Sequence, residues 1–191
     1  MRNLVFVLLL IGLSATTASA VIAEQIVAVV NGQLLFQTDI LRDQTFFEQG
    51  SDVEKLVRHK LLLLEAKRFI LSPPEGEEID LAFKEAQRQF PDEIAFSTAL
   101  KETGFSTEGL KREIMDRLWV KKLIQDRITF FIFITDEEIA QYYQQHQGDF
   151  EQKELRDIEE DIRTILAKEK EEMKVKEYLA RIRSQANIEV K

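Results

Sequence analysis

Apolar residues along the chain fall into three kinds of pattern. Near the start, VIAEQIVAVVNGQLLF (Val21 to Phe36) sets two apolar runs on either side of Asn31-Gly32. Asn-Gly supplies the two positive-φ positions of a type I′ turn, so the segment predicts a β-hairpin. At the far end NIEVK (Asn187 to Lys191) alternates Ile188 and Val190 with polar neighbours. An isolated hairpin is marginal in water, and the two termini are expected to meet in one small sheet. Between them the spacing is helical. Ile79, Phe83, Ala86 and Phe90 recur at three- and four-residue steps, as do Leu110, Ile114 and Leu118 on the stretch that also carries Met115, Trp119 and Leu123.

Gly50, Pro73-Pro74, Gly76, Pro91, Gly104 and Gly148 sit at the joints between these helical segments. Thr38 is the expected N-cap of the first helix. Ser51-Asp52-Val53-Glu54 and Thr135-Asp136-Glu137-Glu138 have capping-box spacing. From Val53 to Leu71 the run Leu61 to Leu64 joins Leu56, Val57, Phe69 and Ile70, an apolar face wide enough for a helix surrounded by others. TFFIFI (Thr129 to Ile134) is read as a buried connector. The last helix is expected over Glu151 to Ala186, about 50 Å long if unbroken. It carries one apolar patch from Leu155 to Leu166 and another from Val175 to Ile182, separated by KEKEE (Lys168 to Glu172), so two different neighbours are implied.

Arg2, the apolar core Leu4 to Leu13 and Ala18-Ser19-Ala20 have the form of a cleavable signal peptide, residues 1–20. An apolar core of that length falls short of the ~20 residues that span a bilayer, so export without stable membrane insertion after cleavage is expected. With no cysteine, neither a disulfide framework nor a lipid-modified thiol is available. A net charge of -8 disfavours nucleic acid as a partner, because such binding rests on clustered Lys and Arg.

Candidate chemistry is sparse. His59 and His146 are the only histidines. Neither has a second His, a Cys or paired carboxylates at ligand spacing, so no metal or other cofactor is expected. His59, between Arg58 and Lys60, is expected on the polar side of its helix. Glu159-Glu160-Asp161 reads as a solvated face, and neither a G-x-S-x-G nor a phosphate-binding glycine loop occurs. Without a recognisable catalytic constellation, the large side chains themselves are the candidates. Phe46, Phe47, Phe83, Phe90, Trp119, Tyr142, Tyr143 and Tyr178 are proposed as peptide-binding.

Four segments, VAVVNGQLLFQTDI, ALKETGFSTEGLKREIMDRL, TDEEIAQYYQQHQGDF and KVKEYLARIRSQANIEV, occur in this order and together resemble the SurA-type periplasmic chaperones over nearly the whole chain beyond residue 20. The resemblance implies a mainly α fold: a helical chaperone core over residues 21–150, with a small N-terminal hairpin joined by a C-terminal strand, and residues 151–191 packing back on it. In that family, parvulin-type prolyl isomerase domains are inserted before the last long helix. No such domain fits after Phe150 here. The implied function is a periplasmic holdase that binds unfolded exported or outer-membrane proteins in an apolar helical cleft without catalysis. The alternatives are a dedicated interaction subunit of an envelope complex, including a homodimer through the C-terminal helix, and a prolyl isomerase-family member with residual activity.

Overall fold

The computed structural model describes residues 24–70, 72–150 and 153–191. The expected signal peptide, residues 1–20, lies outside them. The chain is mainly helical. β1 (Ile26–Val30) and β2 (Gln33–Phe36) form the hairpin, and Asn31 and Gly32 turn it with φ of 49° and 80°. β3 (Ile188–Val190) lies antiparallel on the other side of β1, giving the order β2-β1-β3. Ala28 faces Leu35 on one side and Val190 on the other. The turn itself clasps the last strand: Asn31 N donates to Asn187 O and Asn187 N to Asn31 Oδ1, both at 2.8 Å. The two termini therefore meet as expected.

Seven α-helices lie between β2 and β3 among the described residues: α1 (Gln37–Phe46), α2 (Val53–Phe69), α3 (Gly76–Arg88), α4 (Glu93–Thr103), α5 (Thr107–Arg127), α6 (Asp136–Gln145) and α7 (Leu155–Ser184). The caps correct two of the three expected starts. Helix α1 begins after Phe36, whose N–H donates to Asp39 Oδ2 at 2.9 Å, and not after Thr38. Asp52, not Ser51, caps α2 by accepting from Lys55 N, while Ser51 is buried. Asp52 lies in extended backbone directly before the first helical residue, where its carboxylate reaches the third amide of the helix. The Thr135–Glu138 capping box forms as expected. Gly104 ends α4 at φ 66°, the left-handed geometry that favours glycine.

Three cores share the apolar residues. In the first, α2 lies centrally and buries Leu56, Val57, Leu61, Leu62, Leu63 and Ala66 against the sheet, the C-terminal half of α5 and the end of α7. The second gathers α1, α3, α4 and the first half of α5 around Phe46. The third joins α6 to the first half of α7 through Ile139, Ile158 and Ile162. The two patches of α7 thus meet two different neighbours. With 30 residues, α7 is about 45 Å long and acts as a strut from the third core to the first.

Buried charge joins the first two cores. Asp43 of α1 is buried and pairs with Arg117 of α5, whose guanidinium lies 3.8 Å from the Phe47 ring centre. His59, expected on the polar side of its helix, is half-buried there and faces α5, with Nε2 3.8 Å from Glu113 Oε1. Burial, aided by the charges of Arg117, Lys60, Arg58 and Lys67, lowers its pKa to about 3, so the ring is neutral. Burial likewise raises the Glu113 carboxyl.

Candidate functional site

The connector between α5 and α6 departs most from the sequence reading. Thr129–Phe131 form one 3-10 turn, and the segment from Thr129 to Ile134 is not buried. Phe130, Phe131 and Phe133 are 74%, 65% and 75% exposed. Ile128 is buried, and Ile132 and Ile134 are half-buried. Three of the segment's polar groups bond to α7. Thr129 Oγ1 donates to Glu171 Oε2 at 2.7 Å, Lys170 Nζ to Phe133 O at 2.8 Å, and Arg163 Nη1 to Ile134 O at 3.0 Å. Lys170 also pairs with Glu138, and its hydrogen bond holds that carboxyl below the ordinary range. Clipped down by its backbone and isoleucines, the connector turns its three phenyl rings outward.

Beside it opens a cleft of about 1130 Å³, walled by the C-terminal ends of α2 and α5, by the connector, and by α7 from Lys170 to Ile182 with Gln185 just past its end. Its lining includes Phe69, Phe131, Phe133 and Met173, all exposed. Tyr178 stands on the α7 wall and its hydroxyl donates to Glu65 Oε2 at 3.1 Å. Burial and the neighbouring Glu65 charge raise the phenol above its ordinary value, so it remains a neutral donor. Cations border the rings: the guanidinium carbons of Arg68 and Arg127 lie 5.2 and 4.7 Å from the Phe69 centroid, and that of Arg181 4.7 Å from the Tyr178 centroid. The cleft is therefore mixed, aromatic with basic borders, rather than simply apolar.

Of the eight aromatics singled out from sequence, only Tyr178 lines this cleft. Phe46 is 1% exposed, with its ring against those of Phe47, Phe90, Phe96 and Phe105, and Phe83 stacks edge-on to Phe96. These rings build the second core. Trp119 packs on the first, its Nε1 donating to Ile70 O at 3.2 Å. Tyr142 and Tyr143 belong to the third, where Tyr143 stacks on Phe150 and Tyr142 on His146. The eight are thus divided among three cores and do not converge. Phe69, Phe131, Phe133 and Met173, which line the cleft, are not among those eight. The available signal was the aromatic run TFFIF lying between two well-capped helices without an amphipathic period of its own.

No helix among the described residues is long and apolar enough to cross a membrane. No protein-family model, that of the SurA-type N-terminal domain included, matches the chain. Curated relatives do. The foldase protein PrsA of Clostridium botulinum strain Hall is 31% identical over 119 residues, which cover 56% of this chain and 35% of the relative. The PrsA foldase of another C. botulinum strain, 657, is 31% identical over 111 residues, covering 56% and 33%. That of Clostridium perfringens is 27% identical over 114 residues, covering 58% and 32%. The chain spans about a third of the length of the curated relatives it matches. The expected resemblance to a chaperone family stands at this coarser level, as weak similarity to foldases over about half the chain.

Proposed function

We propose that this protein is an exported holdase that shelters unfolded polypeptide in the cleft between α7 and the α2–α5 body, without catalysis. The observation that carries the reading is the outward-turned Phe131 and Phe133 pair on the wall of a concave surface. Monomeric proteins rarely present clustered large apolar side chains unless they bind something there. Covering such rings gains about 25 cal/mol per Å² of apolar area removed from water, offset by ordering of the bound chain. Binding of this kind is shallow and tolerant of sequence, as a chaperone acting without ATP requires. The partial similarity to foldases supports the same class of function. Residues 1–20 would direct the chain to the periplasm, where unfolded outer-membrane proteins are the expected clients.

The test is dilution of a urea-denatured outer-membrane barrel into buffer with the chain from residue 21 onward. Delayed light scattering at near-stoichiometric amounts is expected, and no delay across several clients would sink the reading. The prolyl isomerase domains of the SurA-type family motivate one control: no acceleration of cis/trans exchange in a proline tetrapeptide is expected.

A second reading, a dedicated subunit or homodimer, draws on the exposure of Ile165 and Met173 along α7 and of Val190 on the edge strand β3. Light scattering coupled to size exclusion separates the two. A stable dimer without affinity for denatured barrels favours the second.

A further inference from the structure

Resting on the holdase reading, we propose that the cleft prefers extended segments in which an aromatic residue stands close to an Asp or Glu, with Arg127 and Arg181 receiving the carboxylate. The cleft lining carries five cations, Arg68, Arg127, Lys170, Lys174 and Arg181, against two carboxylates, Glu65 and Glu177. That balance is opposite to the net charge of -8 on the whole chain. Three of the cations already have partners: Arg68 lies 3.8 Å from Glu65, Lys170 2.6 Å from Glu138, and Lys174 2.8 Å from Glu177.

Arg127 and Arg181 differ. Among the described residues, neither has a carboxylate oxygen within the 4.0 Å of an ion pair. Each guanidinium instead lies over a ring of the cleft, Phe69 and Tyr178 respectively. Stacking occupies the face of a guanidinium and leaves its in-plane N–H donors pointing outward in the fork that suits a carboxylate. Contact with a ring restricts each side chain before any ligand arrives, which lowers the ordering cost of binding. Phe131 and Phe133 line the same space and offer the apolar contact for a neighbouring aromatic residue.

An anionic bilayer would also meet exposed phenylalanines and cations. Shape favours a polypeptide: a headgroup surface is broad and flat, whereas a single extended strand enters a cleft of about 1130 Å³.

The experiment uses the chain from residue 21 onward and two dye-labelled, C-terminally amidated decapeptides of equal aromatic content. One carries Glu beside the aromatic residues and the other carries Gln, and binding is read by fluorescence anisotropy. The Glu peptide is expected to bind about fivefold more tightly, with the preference shrinking as salt rises and vanishing in the R127Q/R181Q variant. Equal affinity for the two peptides overturns this inference and leaves the holdase reading standing. Binding of neither peptide also overturns it, and protection of a denatured barrel then decides the holdase reading separately. Binding to phosphatidylglycerol vesicles that R127Q/R181Q abolishes, without a Glu preference among peptides, assigns the two arginines to a membrane surface and overturns it as well.

Discussion

Replacing one ring in the second core and one on the connector separates structural aromatics from binding ones. Phe46 is 1% exposed and its ring meets four other phenylalanines at centroid distances of 5.6 to 6.4 Å. Phe46→Ala removes the transfer energy of a whole phenyl group and leaves a cavity that α1, α4 and α5 can only partly close. The expected cost is about 3–5 kcal/mol. Phe131 is 65% exposed, so only about a third of the roughly 1.5–3 kcal/mol for burying such a side chain is at stake, or about 0.5–1 kcal/mol. Urea unfolding followed by far-ultraviolet circular dichroism reads both. The fluorescence of Trp119, the one tryptophan of the chain, reports on the first core in the same samples. Client protection should show the reverse order: unchanged in folded Phe46→Ala, reduced in Phe131→Ala. Equal destabilisation by the two substitutions would refute the placement of the connector rings in solvent, and with it the basis of the cleft.

Three further outcomes follow from the buried charges and the turns. Asp43→Ala leaves Arg117 half-buried with Glu113, 3.4 Å away, as its one carboxylate partner among the described residues; the loss is expected at about 2–3 kcal/mol, below the full cost of breaking a buried pair, measured by urea unfolding. His59 is neutral in the fold, with its pKa lowered to about 3 from an ordinary 6.5. The unfolded chain therefore binds the extra proton between those values, and this contribution to stability is complete above pH 6.5 and is lost as pH falls toward 3, by up to about 1.4 kcal/mol per pH unit. His59→Gln should flatten the acid limb of the stability profile between pH 6.5 and 4.5, and an unchanged slope would refute the assignment. The Glu113 carboxyl, raised by burial, acts in the opposite sense above pH 4.5, so both wild type and variant are titrated across the same range. Gly104→Ala, at φ 66°, is expected to cost about 1 kcal/mol in the same assay.

The sheet was readable because its signals are local or symmetrical. Asn31-Gly32 dictates the turn, and the alternation of Ile188 and Val190 marks the strand that pairs with β1. Helix α2 was readable as a central element because LLLL broadens its apolar face beyond what one neighbour covers. The two patches of α7 likewise announced two neighbours. Caps were less certain, since Ser51 and Asp52 are both good cap residues and only the chain path decides between them. The connector was misread for a different reason. An aromatic run reports the wish for burial, but the outward turn of Phe130, Phe131 and Phe133 depends on bonds from Arg163, Lys170 and Glu171 to its backbone and to Thr129. Those partners lie about 30 to 40 residues later on α7, and no local pattern records them. For the same reason the eight aromatics chosen from sequence were mostly core: size and hydrophobicity describe both kinds of ring equally.

Site-specific photo-crosslinking tests the sheltering claim most directly. A benzoylphenylalanine replaces, one at a time, Phe131, Phe133 and Met173 on the cleft, or Phe83 in the second core and Leu81 on the outer face of α3, in the presence of a denatured outer-membrane barrel. Adducts concentrated at the three cleft positions, competed away by unlabelled unfolded client, are the predicted result. Equal labelling at Leu81 and Phe131, or none at the cleft while the client remains protected from aggregation, would contradict it.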